Sequence, residues 1–148
     1  MIRLELNGEP RALQAEPAGT LLQALRDAAG LPSVREGCGE GYCGTCTVLV
    51  DGRPISSCLM LAGQAEGRAV TTVEGLGAAG ELHPVQRAFV EHAAFQCAFC
   101  TPGFLLMVVA LLAEHPAPDE AQIRAYLAGN LCRCGSYLNI VRAAQALL

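Results

Sequence analysis

Eight cysteines in 148 residues, four to each half, constrain this chain more than any other feature. The first four are Cys38, Cys43, Cys46 and Cys58, and the second four are Cys97, Cys100, Cys132 and Cys134. So many thiols are either cross-linked or hold metal. The opening stretch, Met1-Ile2-Arg3-Leu4-Glu5-Leu6, alternates like a strand and is not the basic then apolar leader of an exported chain. Disulfide frameworks belong to oxidising compartments. The expectation is therefore a cytoplasmic protein whose reduced cysteines ligate metal.

The spacing Cys38-x4-Cys43-x2-Cys46, with Cys58 further on, is that of plant-type [2Fe-2S] sites. Three close cysteines let one loop wrap a cluster, and the fourth reaches in from an adjoining element. Gly37, Gly39, Gly41 and Gly44 suit such a loop, which needs positive φ angles and backbone N–H groups aimed at sulfur. Structural zinc prefers two short C-x2–4-C pairs. The three-cysteine run of bacterial [4Fe-4S] sites is missing, and no histidine lies near enough for a Rieske centre. The second set, Cys97-x2-Cys100 with Cys132-x-Cys134, is less specific. Cys97 and Cys100 stand one helical turn apart and could share a face. Cys132-Arg133-Cys134 would put two thiolates in a short bend between helices. On spacing alone, a zinc ion pinning helix ends competes there.

Periodicity divides the chain into an α+β half and a helical half. Residues 2–6 and 11–15 read as strands joined at Asn7-Gly8, a strong hairpin signal. Thr20 caps an apolar-periodic helix over residues 21–29 that Gly30 closes. Strands are predicted at 47–50, 54–56 and 69–73, with a turn at Asp51-Gly52. A Gly/Ala/Glu-rich stretch over 74–82 reads as a connector, which sets the expected domains at 1–74 and 83–148. Beyond it, helices are predicted at 84–95, at 101–115 with Pro102 at its first position, at 118–128 with acids at its start, and at 140–148.

Charge narrows the function classes. The net charge is −4 with no block of Lys or Arg, which argues against nucleic acid, whose binding needs clustered cations. The most apolar run, Phe104 to Ala113, is ten residues long, and a span needs about 17–25. No direct membrane insertion is expected. Leu105, Leu106, Val108, Val109, Leu111 and Leu112 circle that helix, which calls for burial on more than one side.

Five stretches go further than spacing does. They are Gly37-Cys38-Gly39-Glu40-Gly41-Tyr42-Cys43-Gly44-Thr45-Cys46-Thr47-Val48, Ser57-Cys58-Leu59, Leu82-His83-Pro84-Val85-Gln86, Gln96-Cys97-Ala98-Phe99-Cys100-Thr101-Pro102-Gly103 and Gly129-Asn130-Leu131-Cys132-Arg133-Cys134. In this order, and over nearly the whole chain, the sequence resembles the small iron–sulfur subunit of the molybdenum hydroxylases, the xanthine oxidase superfamily. The resemblance implies a β-grasp, ferredoxin-like [2Fe-2S] domain followed by a four-helix [2Fe-2S]-binding domain with a two-fold arrangement of helices. It implies a cluster in each set and a molybdopterin-binding large subunit as partner. Gln96 looks like the glutamine whose amide contacts the pterin, and Cys134 like the ligand whose sulfur approaches the pterin amino group. An FAD-binding medium subunit and a dimer of heterotrimers or heterodimers also follow from the family. Two positions depart from its pattern. Ala98 stands where glycine is more usual. Gly135-Ser136-Tyr137 is similar to the branch acting on N-heterocycles or aldehydes, sometimes without a flavin subunit, so a flavin partner is not assumed.

The implied function is electron transfer: from molybdenum, through the second set's cluster and then the first's, to FAD or another acceptor. No nucleophile–base arrangement is present, so no catalytic residue is assigned to this chain and the cofactors carry the reaction. The alternatives are a free-standing two-cluster carrier and a zinc-stabilised scaffold. His83, His92 and His115 are read as surface or helix-end residues, and Arg35, Glu36 and Glu40 as a solvated rim.

Overall fold

Asn7 and Gly8, at φ 54° and 83°, make the turn that an Asn-Gly pair predicts. It joins β1 (Ile2–Leu6) to β2 (Glu9–Leu13), paired antiparallel with Ile2 opposite Leu13 and Leu6 opposite Glu9. Pairing resumes directly after this tight turn, so β2 starts earlier than the expected 11–15. The computed structural model describes residues 1–78 and 80–148.

Ile2, Leu4 and Leu6 point to one face of β1 and are buried there. Beneath them lies α1 (Leu21–Gln23), which runs on as a π-helical turn over Ala24–Ala28 and buries Leu21, Leu22, Ala24 and Leu25. Its start is closed reciprocally. The Thr20 hydroxyl accepts from the Gln23 N–H, and the Gln23 side chain accepts from the Thr20 N–H. β3 (Thr47–Val50) and β4 (Arg53–Ser56) turn at Asp51-Gly52, and β5 (Ala69–Thr71) completes the sheet. The strand order is β2-β1-β5-β3-β4, with β1 and β5 parallel and the other neighbours antiparallel. A mixed sheet with one helix across it is the expected α+β half. Two short 3-10 turns, Ala62–Ala65 and Val73–Gly75, were not legible in the sequence. Of the expected connector over 74–82, residue 79 lies outside the described residues.

Four helices follow: α2 (Pro84–Glu91), α3 (Thr101–Glu114), α4 (Glu120–Leu127) and α5 (Tyr137–Gln145). His83 caps α2 by accepting from the Val85 N–H, and Asp119 caps α4 by accepting from the Gln122 N–H. His92 and His115 close α2 and α3 at their other ends. All three histidines thus take helix-end roles. α2 stops short of the expected residue 95, because Ala93 turns to φ 48°. α5 begins at Tyr137 rather than 140.

α3 satisfies its all-round hydrophobicity within the chain. Phe104, Leu105, Val108 and Leu111 pack with Val85, Phe89, Ile123 and Ile140 of the bundle. Leu106 and Ala110, on the other side, pack on Leu49 of β3. The first turn of α3 also rides on the loop before β3, where a Cβ at Gly103 would lie 2.4 Å from the Gly44 carbonyl oxygen. Gly103→Ala is therefore expected to destabilise the protein by about 1–3 kcal/mol through overpacking, despite alanine's better helix propensity. Gly129→Ala, whose Cβ meets nothing within 4 Å, is expected to change stability little. Equal shifts of Tm in the two variants would contradict this close approach.

Candidate metal centres

All eight cysteines are free thiols, and their neighbours divide them into two groups of four. Cys38 and Cys43 lie in the irregular loop before β3, Cys46 is buried at its end, and Cys58 follows β4. The β3–β4 hairpin is what returns Cys58 to the loop. Ser57 fixes the approach, its N–H and hydroxyl donating to the Cys46 carbonyl at 3.4 and 2.7 Å. Within this set the thiols meet as Cys38 with Cys43 and Cys46 with Cys58, and Cys58 also senses Cys38. The loop's tight course needs glycine. At Gly41, φ is 82° and a Cβ would lie 2.1 Å from Leu59 Cδ1. Gly37 is held to glycine by space alone, since its φ is not positive and a Cβ would meet Cys43 Sγ at 2.9 Å.

Cys97 and Cys100 do not share a helical face, contrary to the expectation from their spacing. α2 has ended and α3 begins only at Thr101, so both stand in a loop turned by Ala98 at φ 60°. Cys132 and Cys134 occupy the bend between α4 and α5, as expected. The pairing is Cys97 with Cys134 and Cys100 with Cys132. Among the described residues, no three His, Cys, Asp or Glu side chains converge on a point that would hold one metal ion. The thiols meet two by two.

Backbone N–H groups aim at one sulfur after another: Glu40 at Cys38 Sγ (3.3 Å), Phe99 at Cys97 Sγ (3.5 Å) and Ser136 at Cys132 Sγ (3.4 Å). The Glu40 N–H brings the Cys38 thiol down to about 6. The Phe99 N–H, aided by the Cys134 thiol, holds Cys97 below the ordinary thiol range. For Cys132 burial works upward, yet the Ser136 N–H and the Cys100 thiol outweigh it and the net direction is down. Burial pushes Cys58 up to about 11 and Cys100 up to about 12, each assisted by its paired thiol.

The two sets adjoin. Cys43 and Thr45 from one side, and Cys97, Cys100, Cys132 and Tyr137 from the other, line a cavity of about 470 Å³. The Leu131 N–H donates to the Cys43 carbonyl at 2.9 Å, and Asn130 Nδ2 to the Gly44 carbonyl at 3.0 Å. Arg35, expected in a solvated rim, instead crosses to the second set and donates to the Ala98 and Phe99 carbonyls at 2.5 and 3.1 Å. Glu36 and Glu40 are exposed. Gln96 stands beside Cys134, its Nε2 donating to that residue's carbonyl at 3.4 Å. Asn130 and Tyr137 flank the second cysteine pair, and their contacts give each a role that the motif alone does not. Tyr137 accepts the Cys132 N–H on its phenol oxygen at 2.8 Å while its ring edge meets Phe104. No pattern in the sequence marks Arg35 or Tyr137, since their partners depend on how the loops fold against each other.

Residues 4–72 match the family described as "2Fe-2S iron-sulfur cluster binding domain", and residues 72–145 the one described as "[2Fe-2S] binding domain". Fold and thiols thus define an iron–sulfur protein with a [2Fe-2S]-binding domain in each half. The chain is 46% identical over 144 residues to the nicotinate dehydrogenase small FeS subunit of Eubacterium barkeri, covering 97% of this chain and 92% of that one. It is 48% identical over 145 residues to the xanthine dehydrogenase iron-sulfur-binding subunit of Escherichia coli, covering 95% and 89%. Among solved structures, quinoline 2-oxidoreductase from Pseudomonas putida matches with a TM-score of 0.94 at 46% identity, over 97% of this chain and 89% of that one. The aldehyde oxidoreductase of Desulfovibrio desulfuricans matches at 0.93 and 42%, over 97% of this chain and 16% of that longer one. The chain belongs to the family of small iron–sulfur subunits of the molybdenum hydroxylases, the xanthine oxidase superfamily.

The thiol environments order their reactivity when iron is removed. At pH 7 in reduced, iron-free protein, Cys38 at about 6 is mostly thiolate, whereas Cys100 at about 12 is protonated. Iodoacetamide is expected to modify Cys38 first and Cys100 last, read by peptide mass spectrometry against time. Lowering the pH to 5 is expected to slow Cys38 sharply. Uniform alkylation across the eight would contradict the assignment of these environments.

Proposed function

We propose that this chain is the electron-transfer subunit of a molybdenum-containing hydroxylase or dehydrogenase, carrying electrons singly from the molybdopterin centre of a large subunit to FAD or another acceptor. The observation that carries this reading is the presence of two four-thiol sets within one chain, whose loops adjoin at a cavity lined by Cys43 of the first set and Cys97, Cys100 and Cys132 of the second. Cys38, Cys43, Cys46 and Cys58 would hold one [2Fe-2S] cluster, and Cys97, Cys100, Cys132 and Cys134 the other. The donor sets fit this cofactor. Four thiolates spread over two irons call for thiols in pairs, whereas a structural zinc needs all four donors around one point. When bound, each cluster supplies a one-electron store whose potential its surroundings set.

This chain's own residues do the rest. The N–H groups of Glu40, Phe99 and Ser136 favour negative charge on sulfur. Burial of Cys46 and Cys132 keeps water from one thiol in each set. Around the second set, Phe95, Phe99, Leu131 and Leu138 are exposed apolar side chains, the kind of surface that a partner subunit covers. Gln96 and Cys134, side by side on this rim, are the residues we assign to contact with the pterin. By the family resemblance the second set faces the large subunit and the first set the acceptor, and the exposed Tyr42 and Leu59 give the first set an apolar surface of its own. The acceptor is a flavin-bearing medium subunit or another carrier, and two copies of each subunit make up the whole assembly. Substrate chemistry belongs to the large subunit. A cytoplasmic setting keeps the thiols reduced for cluster insertion. No helix among the described residues is long and apolar enough to cross a membrane.

The chain, tagged and expressed with its large subunit, is expected to co-purify a molybdopterin-bearing partner. Nicotinate, xanthine and an aromatic aldehyde, added in turn without oxygen, test for bleaching of the visible cluster absorbance. Cys100→Ala is expected to abolish bleaching by whichever compound works, while the first set keeps its iron. A chain that purifies alone, fully loaded with iron and with no molybdenum partner, would contradict the reading.

A further inference from the structure

One side chain joins the loop of the first thiol set to the loop of the second. Arg35, half-buried three residues ahead of Cys38, extends its guanidinium over the Phe99 ring, with Cζ 5.5 Å from the ring centroid. Nη1 donates to the Ala98 carbonyl at 2.5 Å and to the Phe99 carbonyl at 3.1 Å. Among the described residues Arg35 makes no ion pair, the two salt bridges there being Arg68–Asp51 and Arg124–Glu120. Its charge is spent on backbone oxygens.

The Ala98 carbonyl and the Phe99 N–H are two ends of one planar, trans peptide group and point in opposite directions. The oxygen faces Arg35, and the hydrogen faces Cys97 Sγ, with N···S at 3.5 Å. Ala98, at φ 60°, turns the chain so that both contacts form together. Hydrogen bonds in series polarise one another, so a guanidinium on the oxygen makes that N–H a stronger donor to sulfur. Hydrogen bonds to cluster sulfurs are among the levers that set a cluster's potential.

We propose that Arg35 is a positioning residue that raises the reduction potential of the second centre by polarising the Ala98–Phe99 peptide against Cys97. The proposal rests on the reading of Cys97 as a cluster ligand. Reduction adds one electron and forms or breaks no bond. The added charge is shared by the sulfurs, so a polarised N–H favours the reduced state over the oxidised one. Because Arg35 belongs to the first loop, this potential depends on the two halves staying docked.

The test is an EPR-monitored redox titration of the intact chain, purified without oxygen, with dithionite as the electron source. Wild type, Arg35→Gln and Arg35→Lys are compared. Cys58→Ser and Cys100→Ser variants assign each signal to its set. In Arg35→Gln, the second centre's one-electron equilibrium constant is expected to fall about three- to tenfold, a shift of roughly 30 to 60 mV to lower potential at about 59 mV per decade. The first centre is expected to move less. Arg35→Lys keeps the charge but lacks the fork, so its potential is expected between the other two. Two intact signals with no shift, or with equal shifts in both centres, would overturn the relay while leaving the two-centre reading in place. If Arg35→Gln loses iron, Arg35→Lys decides, and a potential unchanged from wild type overturns the proposal. A wild-type chain with a single signal would instead remove the two-centre reading itself.

Discussion

The seam where the Gly44 backbone meets the helical half fixes everything that matters for electron flow. The Gly44 carbonyl accepts from the Thr47 N–H and hydroxyl and from Asn130 Nδ2, so three donors from two halves hold one oxygen. Glycine is needed on both sides of this contact. A Cβ at Gly44 would lie 2.5 Å from the Asn130 side chain, and one at Gly103 would strike the Gly44 oxygen. Backbones can approach this closely only where side chains are absent. The neighbouring bond, from the Leu131 N–H to the Cys43 carbonyl, connects residues adjoining or belonging to opposite thiol sets. These two loops are thereby held face to face.

That arrangement explains how burial and hydrogen bonding divide the thiols. Cys58 and Cys100 are pushed up by burial, while Cys38 and Cys97 are drawn down by N–H groups of the loops that carry them. Each set thus joins a thiol that ionises easily to one that would give up its proton only if it ligated metal, since ligation drives deprotonation. On the proposed ligand assignment, cluster loading would release protons. The loops' turns, at Gly41 and Ala98, place the N–H groups that stabilise sulfur charge.

Much of this was legible in the residues. Asn7-Gly8, Thr20 and Pro84 announce their turn and helix starts through local chemistry, and each structural feature stands where they put it. α4 begins at Glu120, two residues past the expected start, because Asp119 caps it from outside. The x4 and x2 spacing of the first set reads directly, because one loop carries three thiols. The second set reads less well. Spacing allowed Cys97 and Cys100 a common helical face, but Ala93, at positive φ, has already ended α2, and Ala98, at positive φ between the two cysteines, turns the loop. Alanine gives no local signal for that conformation, since tertiary contacts impose it. Arg35 was misread for the same reason. Its partners are carbonyl oxygens 63 and 64 residues away, and backbone acceptors leave no trace in composition or periodicity. The two-sided burial of α3 was foreseen from its residues, but the sheet on its far side emerges only from the fold.

The central claim is that two separate [2Fe-2S] centres lie side by side in this one chain. Iron and acid-labile sulfide per chain, with EPR of the dithionite-reduced protein purified without oxygen, test it most directly. The account predicts about four irons and four sulfides per chain, two for each binuclear centre, and two distinct S = 1/2 signals. About two irons with one signal, and zinc in place of the rest, would contradict it and leave the helical half with a structural role alone.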